Sequence, residues 1–178
     1  MKTLQKKSLE DFPDDPLSLA FQAIFFLVHE DTIAANLNID KFKQVCKDQS
    51  LPDVLIKSYL AQLYSVAGVP DKAEENYRQA LSLEPGNRTR INNLSYFLID
   101  NDRNINEGIK LVDSALQLNP VNYNLMHTKG WGLYKLGKYQ EALEVLQKSW
   151  DLRMNSAIYD HDAYLHLEAA KKAVAGMK

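Results

Sequence analysis

The tightest constraint on this chain is a recurrence. Small residues return in register in three successive units between Val54 and Ser156, and a closing proline in two of them. Ala80 and Ala115 lie 35 residues apart, as do Pro85 and Pro120, while Gly108 and Ala142 lie 34 apart. A segment of that length is one supersecondary unit that cannot bury its own apolar faces, so its copies must stack.

The clearest copy is Tyr123–Ser156, 34 residues long. Met126, Gly130 and Leu133 share one face of a first helix, and Gly137 ends it, because glycine takes the left-handed conformation at little cost. Tyr139, Ala142, Leu146, Ser149 and Trp150 make the apolar stripe of a second helix. Gly130 and Ala142 are small where the two helices must approach, and Leu133 and Trp150 fill the volume beside them, which makes Trp150 a core residue. Val54–Asn87 carries Ala61, Tyr64, Gly68, Ala73, Tyr77, Ala80, Leu81 and Pro85 at the matching places. Arg88–Asn122 carries Ser95, Leu98, Gly108, Val112, Ala115, Leu116 and Pro120, with one extra residue in the polar turn Asp100–Asn106.

This pattern resembles the tetratricopeptide repeat (TPR) family, in which a helix–turn–helix of 34 residues places Trp, Leu, Gly, Tyr, Ala, Phe, Ala and Pro at set positions. Lys129 stands where the family usually has leucine, Gly108 replaces an alanine, and Met154 replaces the closing proline. The resemblance implies an all-α fold, a right-handed α-solenoid of paired helices, and residues 1–178 are expected to form one such domain.

The rest of the chain fits the pattern less closely. Ser8, Leu9 and Pro13 fall in the register of Ala80, Leu81 and Pro85, so residues 1–13 read as the tail of a repeat whose first half lies upstream, or as an N-terminal capping helix. Residues 16–53 read as a degenerate repeat: a helix Leu17–Val28 opened by Pro16, a turn at His29–Asp31, and a helix Thr32–Lys47 with Ala35, Ile39, Phe42 and Cys46 on one face. Repeats follow at 54–87, 88–122 and 123–156. Residues 157–178 read as a capping helix, Ala157–Val174, with Ile158, Leu165 and Ala169 packed inward and Asp160, Glu168 and Lys171 toward water.

Composition narrows the function classes. A net charge of −2 argues against a nucleic-acid backbone as partner. Cys46 is the only cysteine, so no internal disulfide forms. No apolar run approaches the length of a membrane span. The N-terminus lacks a secretory h-region, which points to the cytoplasm if Met1 is the native start. No glycine-rich phosphate loop, HExxH pattern or nucleophile elbow occurs, so no catalytic, cofactor or metal site is expected. Asp162 and His166, four apart on one helix, are the nearest approach to a metal pair, with His161 beside them; a solvated helix face accounts for them.

In the family the first helix of each unit lines the concave face. That resemblance places Ala20, Ile24, Ser58, Gln62, Asn92, Tyr96, His127, Trp131 and Tyr134 there, with Trp131 and Tyr96 also able to pack as core. Aromatics and amides on a rigid wall suit a peptide or helix of another protein. Some family members clamp a terminal carboxylate on this face with cations and asparagines; here the places hold Ser58, Gln62, Asn93, Asn124 and Thr128, of which Asn93 alone fits. The expectation is a non-enzymatic protein–protein interaction module. The alternative is a structural spacer or assembly segment of a longer repeat protein, self-associating through an open solenoid end.

Overall fold

The computed structural model describes residues 15–177, and the residue 1–13 expectation lies outside them. The described residues form nine α-helices and no strand: α1 Pro16–Val28, α2 Thr32–Asp48, α3 Asp53–Val66, α4 Pro70–Leu83, α5 Arg88–Asp100, α6 Ile105–Leu118, α7 Tyr123–Lys135, α8 Tyr139–Asn155 and α9 His161–Ala175. Consecutive helices pack as pairs, α1 on α2, α3 on α4, α5 on α6 and α7 on α8. The chain divides into two compact units, Met1–Glu84 and Pro85–Lys178.

Local chemistry sets the helix starts. Asp15, Asp31, Asn87, Asn104, Asn122 and Asp160 each accept a first-turn N–H, satisfying donors the helix itself cannot. Asn104 and Glu107 do so reciprocally: the Glu107 N–H donates to Asn104 Oδ1 at 3.1 Å, and Asn104 Nδ2 donates to Glu107 Oε2 at 3.1 Å. α4 instead begins with Pro70, which needs no partner for a missing N–H.

The turn inside each pair uses one left-handed residue at the same place. Gly68 and Gly137 supply it with φ of 72° and 76°. Glu30 and Asp102 adopt it without glycine's freedom, at φ of 60° and 53°.

In the first unit Leu19, Ala23, Ala35, Ile39, Phe42 and Cys46 are buried between α1 and α2, and Ile56, Leu60, Ala61, Leu63, Tyr64, Ala73 and Ala80 continue that core in α3 and α4. In the second unit Val112, Ala115 and Leu125 form one cluster, and Leu146, Leu167 and Ala170 another. Gly130 touches the second: a Cβ there would lie 2.7 Å from Leu146 Cγ. Gly108 is equally constrained, since a Cβ would meet the Ser95 carbonyl oxygen at 2.9 Å. Glycine in the place of the family's alanine therefore lets α6 sit closer to α5.

Two expectations are corrected. Trp150 packs against the Leu146 cluster but is only half-buried, with Tyr159 and Tyr164 beside its ring. The last helix starts at His161, not Ala157: Ala157 takes a left-handed turn, φ 54°, and Asp160 is the cap. Ala163, Leu167 and Ala170 face inward, while Ile158 and Leu165 are exposed.

Candidate functional site

The five candidate residues of the second unit come together on the first-helix face formed by α5, α7 and α9. The register explains it. Tyr96, Trp131 and His166 are spaced by 35 residues, and so are Asn92, His127 and Asp162. α9 therefore continues the series of first helices as well as closing the unit. His166 and Asp162 belong to this face, and the 35-residue spacing was the signal that could have placed them there.

Tyr96, His127, Trp131, Tyr134 and His166 form one aromatic ladder. The Trp131 indole lies on the His166 ring, with centroids 3.7 Å apart and planes 2° from parallel. Tyr134 stacks with Trp131 at 4.9 Å, its plane 11° from parallel. Tyr96 stands near both histidines, 6.0 Å from His127 and 6.4 Å from His166. Trp131 is half-buried, and its Nε1–H donates to Asp100 Oδ1 at 2.9 Å. Lys135 lies over the same indole at 5.5 Å and donates to the Asp100 carbonyl and to Asp102 Oδ2. The ladder is thus fixed from α5, α7 and α9 at once.

His127 Nε2 and His166 Nδ1 share a hydrogen bond of 2.9 Å, in which one ring donates and the other accepts. Burial, with the neighbouring His166 charge, pushes His127 down to about 4. Burial also lowers His166, against the pull of Asp100, Asp162 and Asp160. Both rings are therefore held neutral near pH 7. Burial raises the Tyr96 phenol, and the same three carboxylates raise it further.

Beside the ladder lies a polar cleft of about 220 Å³. Asn92, Tyr96 and His127 line it, with Arg153, Asp160 and Asp162 opposite. Arg153 is 4% exposed and ties three helices: Nη2 donates to Asn124 Oδ1 of α7 at 2.8 Å, and Nη1 pairs with Asp160, the α9 cap, at 3.0 Å. Its guanidinium lies over the Tyr123 ring. Burial pushes the Asp160 carboxyl up, but the Ala163 N–H and Arg153 outweigh it and hold the group below its usual range. Asn92 Oδ1 accepts from the buried Thr128 hydroxyl at 2.8 Å.

The first unit's candidates are placed differently. Ser58 is buried and donates to the Val54 carbonyl of its own helix, so its hydroxyl is turned inward. Gln62 is exposed at the rim of an apolar cleft of about 460 Å³ whose walls include Leu17, Ala20, Phe21, Ile24 and Val66. The cation-and-asparagine places are likewise spoken for or neutral: Asn124 is held by Arg153, Thr128 by Asn92, and Asn93 lines a second polar cleft with Arg88 and Asn119. Among the described residues no group of three His, Cys, Asp or Glu could hold a metal ion, and no helix is long and apolar enough to cross a membrane.

Comparison with known proteins bears on this arrangement. A TPR repeat-containing protein of Pseudomonas aeruginosa is 29% identical over 94 residues, 53% of this chain and 15% of that protein. The chain thus matches only a small part of that relative's length. Among solved structures, the Sgt2 TPR domain of Aspergillus fumigatus superimposes with a TM-score of 0.60 at 18% identity, covering 70% of this chain and 80% of that one. The first TPR domain of Spaghetti (RPAP3), bound to the HSP90 peptide SRMEEVD, gives a TM-score of 0.57 at 19% identity, covering 69% and 94%. MamA of AMB-1 gives 0.52 at 18% identity over 90% and 82%. These likenesses establish the fold. A family profile described as tetratricopeptide repeat matches residues 17–167, and with the paired helices in register this chain belongs to the tetratricopeptide repeat family, whose members serve generally as protein-interaction modules and are typically non-catalytic.

Proposed function

We propose that the chain binds a peptide or helix of a partner protein on the first-helix face of its second unit, with Asn92, Tyr96, His127, Trp131 and Tyr134 as contacts. The observation that carries this reading is the state of Trp131. It is only half-buried, yet its plane and its N–H are both fixed, by His166 and Asp100. A rigid, partly open aromatic surface loses little freedom when a ligand covers it, which is the usual makeup of an interface hot spot. The RPAP3 domain, similar in fold, is bound to a peptide. An acidic tail such as that peptide is not the ligand expected here, because the clamp positions Ser58, Gln62, Asn93, Asn124 and Thr128 offer no cation.

The test is crosslinking capture from the source cell with the wild-type chain beside Trp131→Ala and Tyr96→Ala. A protein captured by wild type and lost by both folded variants supports the reading. Capture unchanged in both overturns it.

A second reading, assembly through the first unit, is favoured by a specific observation. Leu17, Phe21 and Val66, which line the apolar cleft, are 68%, 66% and 71% exposed. That much open apolar surface on one unit suits association. Sedimentation over a range of concentrations decides it. Self-association abolished by Phe21→Glu supports assembly, and a strictly monomeric profile removes it.

A further inference from the structure

We propose that the polar cleft of the second unit receives a basic side chain of its partner, an arginine or lysine on an extended segment, between the Tyr96 ring and the carboxylates of Asp160 and Asp162. This rests on the first-helix face being the binding surface and adds the charge class of the ligand.

The argument follows what each polar group of the cleft has left to give. Arg153 is the only cation lining it. Its two Nη atoms are committed to Asn124 and Asp160, and its side chain is 5% exposed, so its charge is neutralised inside the wall. The Thr128 hydroxyl is committed to Asn92, and His127 to His166, which leaves His127 neutral. Asp162 remains. It is exposed and makes no ion pair among the described residues. A carboxylate ligand would enter against Asp162 and Asp160 with no free cation to meet it. An ammonium or guanidinium would meet Asp162 directly and the Tyr96 ring beside it, the pairing that cation–π and charge-assisted hydrogen bonds favour.

The rest of the guanidinium is closed off as well: Arg153 Nε is buried, so it offers no donor to an acceptor entering the cleft. Carboxylate influence reaches the whole face: the Tyr96 phenol and His166 both sense Asp100, Asp160 and Asp162, with Lys135, itself paired with Asp102, as the opposing charge on His166.

The probe is a positional-scanning array of acetylated, amidated octapeptides, read with the full chain and with Asp162→Asn. Pools with arginine or lysine are expected to bind about tenfold better than pools with aspartate or glutamate. That preference should fall several-fold in Asp162→Asn, and on going from roughly 0.05 M to 0.5 M salt. Asp151→Asn, an exposed carboxylate on α8 outside the cleft, is expected to leave it unchanged. Enrichment of acidic pools, or basic pools bound equally by Asp162→Asn, overturns the proposal. The two readings fail separately: neutral or acidic pools that are bound and then lost in Trp131→Ala remove the charge class alone, whereas binding indifferent to Trp131→Ala removes the face as well.

Discussion

The two units repeat one helix pair, yet they finish their first-helix faces in opposite ways. In the first, α1 and α3 present mainly apolar side chains, Leu17, Phe21, Ile24 and Val66 among them, around an open cleft, and the one predicted polar hydroxyl, Ser58, is turned into its own helix. In the second, α5, α7 and α9 present rings and charges, and these are joined to one another: indole to carboxylate, histidine to histidine, guanidinium to helix cap. The same backbone therefore carries two kinds of surface. Apolar area is strong but indiscriminate, while a linked polar face gives direction at the cost of keeping every buried group satisfied. What differs is chiefly the residue type at corresponding positions of the first helices.

The comparison breaks most sharply in the core. Leu146 fills the space left by Gly130 and supports Leu167 of α9. Leu146→Ala is expected to destabilise the second unit by about 2–5 kcal/mol, because nothing rigid nearby can collapse into the void. Both tryptophans, Trp131 and Trp150, lie in the second unit. Urea unfolding followed by tryptophan fluorescence therefore reads that unit alone. A midpoint shift by fluorescence without loss of hydrogen-exchange protection in α1–α3 is the expected result. An unshifted fluorescence midpoint would mean that α9 is not held through this residue.

Acid sharpens the contrast. His127 is neutral in the folded chain, at about 4, against an ordinary value near 6.5. The unfolded chain takes up the proton first, so stability is full above pH 6.5, falls as the pH drops below it, and levels off near 4. Between pH 7 and 5 the loss is on the order of 2 kcal/mol, and it falls on the second unit. Tyr96, Asp100, Arg153, Asp160 and Lys135 all stay near the pair, and the carboxylates, by favouring the charged rings, soften the loss. The first unit's one described histidine, His29, is exposed. Urea midpoints at the two pH values, wild type beside His127→Gln, check this. An equal acid shift in both would remove the histidine pair as its cause.

Much of this architecture was legible from spacing. Gly68 and Gly137 marked the turns, the small residues marked the close approaches, and Ala35, Ile39, Phe42 and Cys46 turned out buried together. The face of α9 was not legible from apolar periodicity, since Ile158 and Leu165 fit the stripe as well as Leu167 does. Packing on Leu146 chose between them, since Leu167 and Ala170 join its cluster and Leu165 does not. The bond between His127 and His166 spans 39 residues and exists only once α7 and α9 pack together, so a local reading of Asp162 and His166 met only a solvated pair. Trp150 does pack on the Leu146 cluster, but at its margin, and burial depth is not written in helical spacing.

The smallest expected effect tests the turn that both units share. Gly137 has open space where a side chain would go, with nothing within 4 Å of a built Cβ, so Gly137→Ala changes only the cost of a left-handed φ. That cost is about 1–2 kcal/mol, and the alanine returns roughly 0.4–1 kcal/mol by restricting the unfolded chain. A net loss somewhat under 1 kcal/mol is expected in the second unit. Glu30 holds the matching place in the first unit at φ 60°, so Glu30→Gly runs the exchange backwards and should stabilise the α1–α2 pair by a similar amount. Hydrogen exchange at the end of α1 reads the second variant and tryptophan fluorescence reads the first. Opposite signs would show that the turn costs the same in both units. Destabilisation by Glu30→Gly would mean that the Glu30 carbonyl, which accepts from the Thr32 N–H at 3.0 Å, depends on the stiffness of a side-chain-bearing residue at that turn.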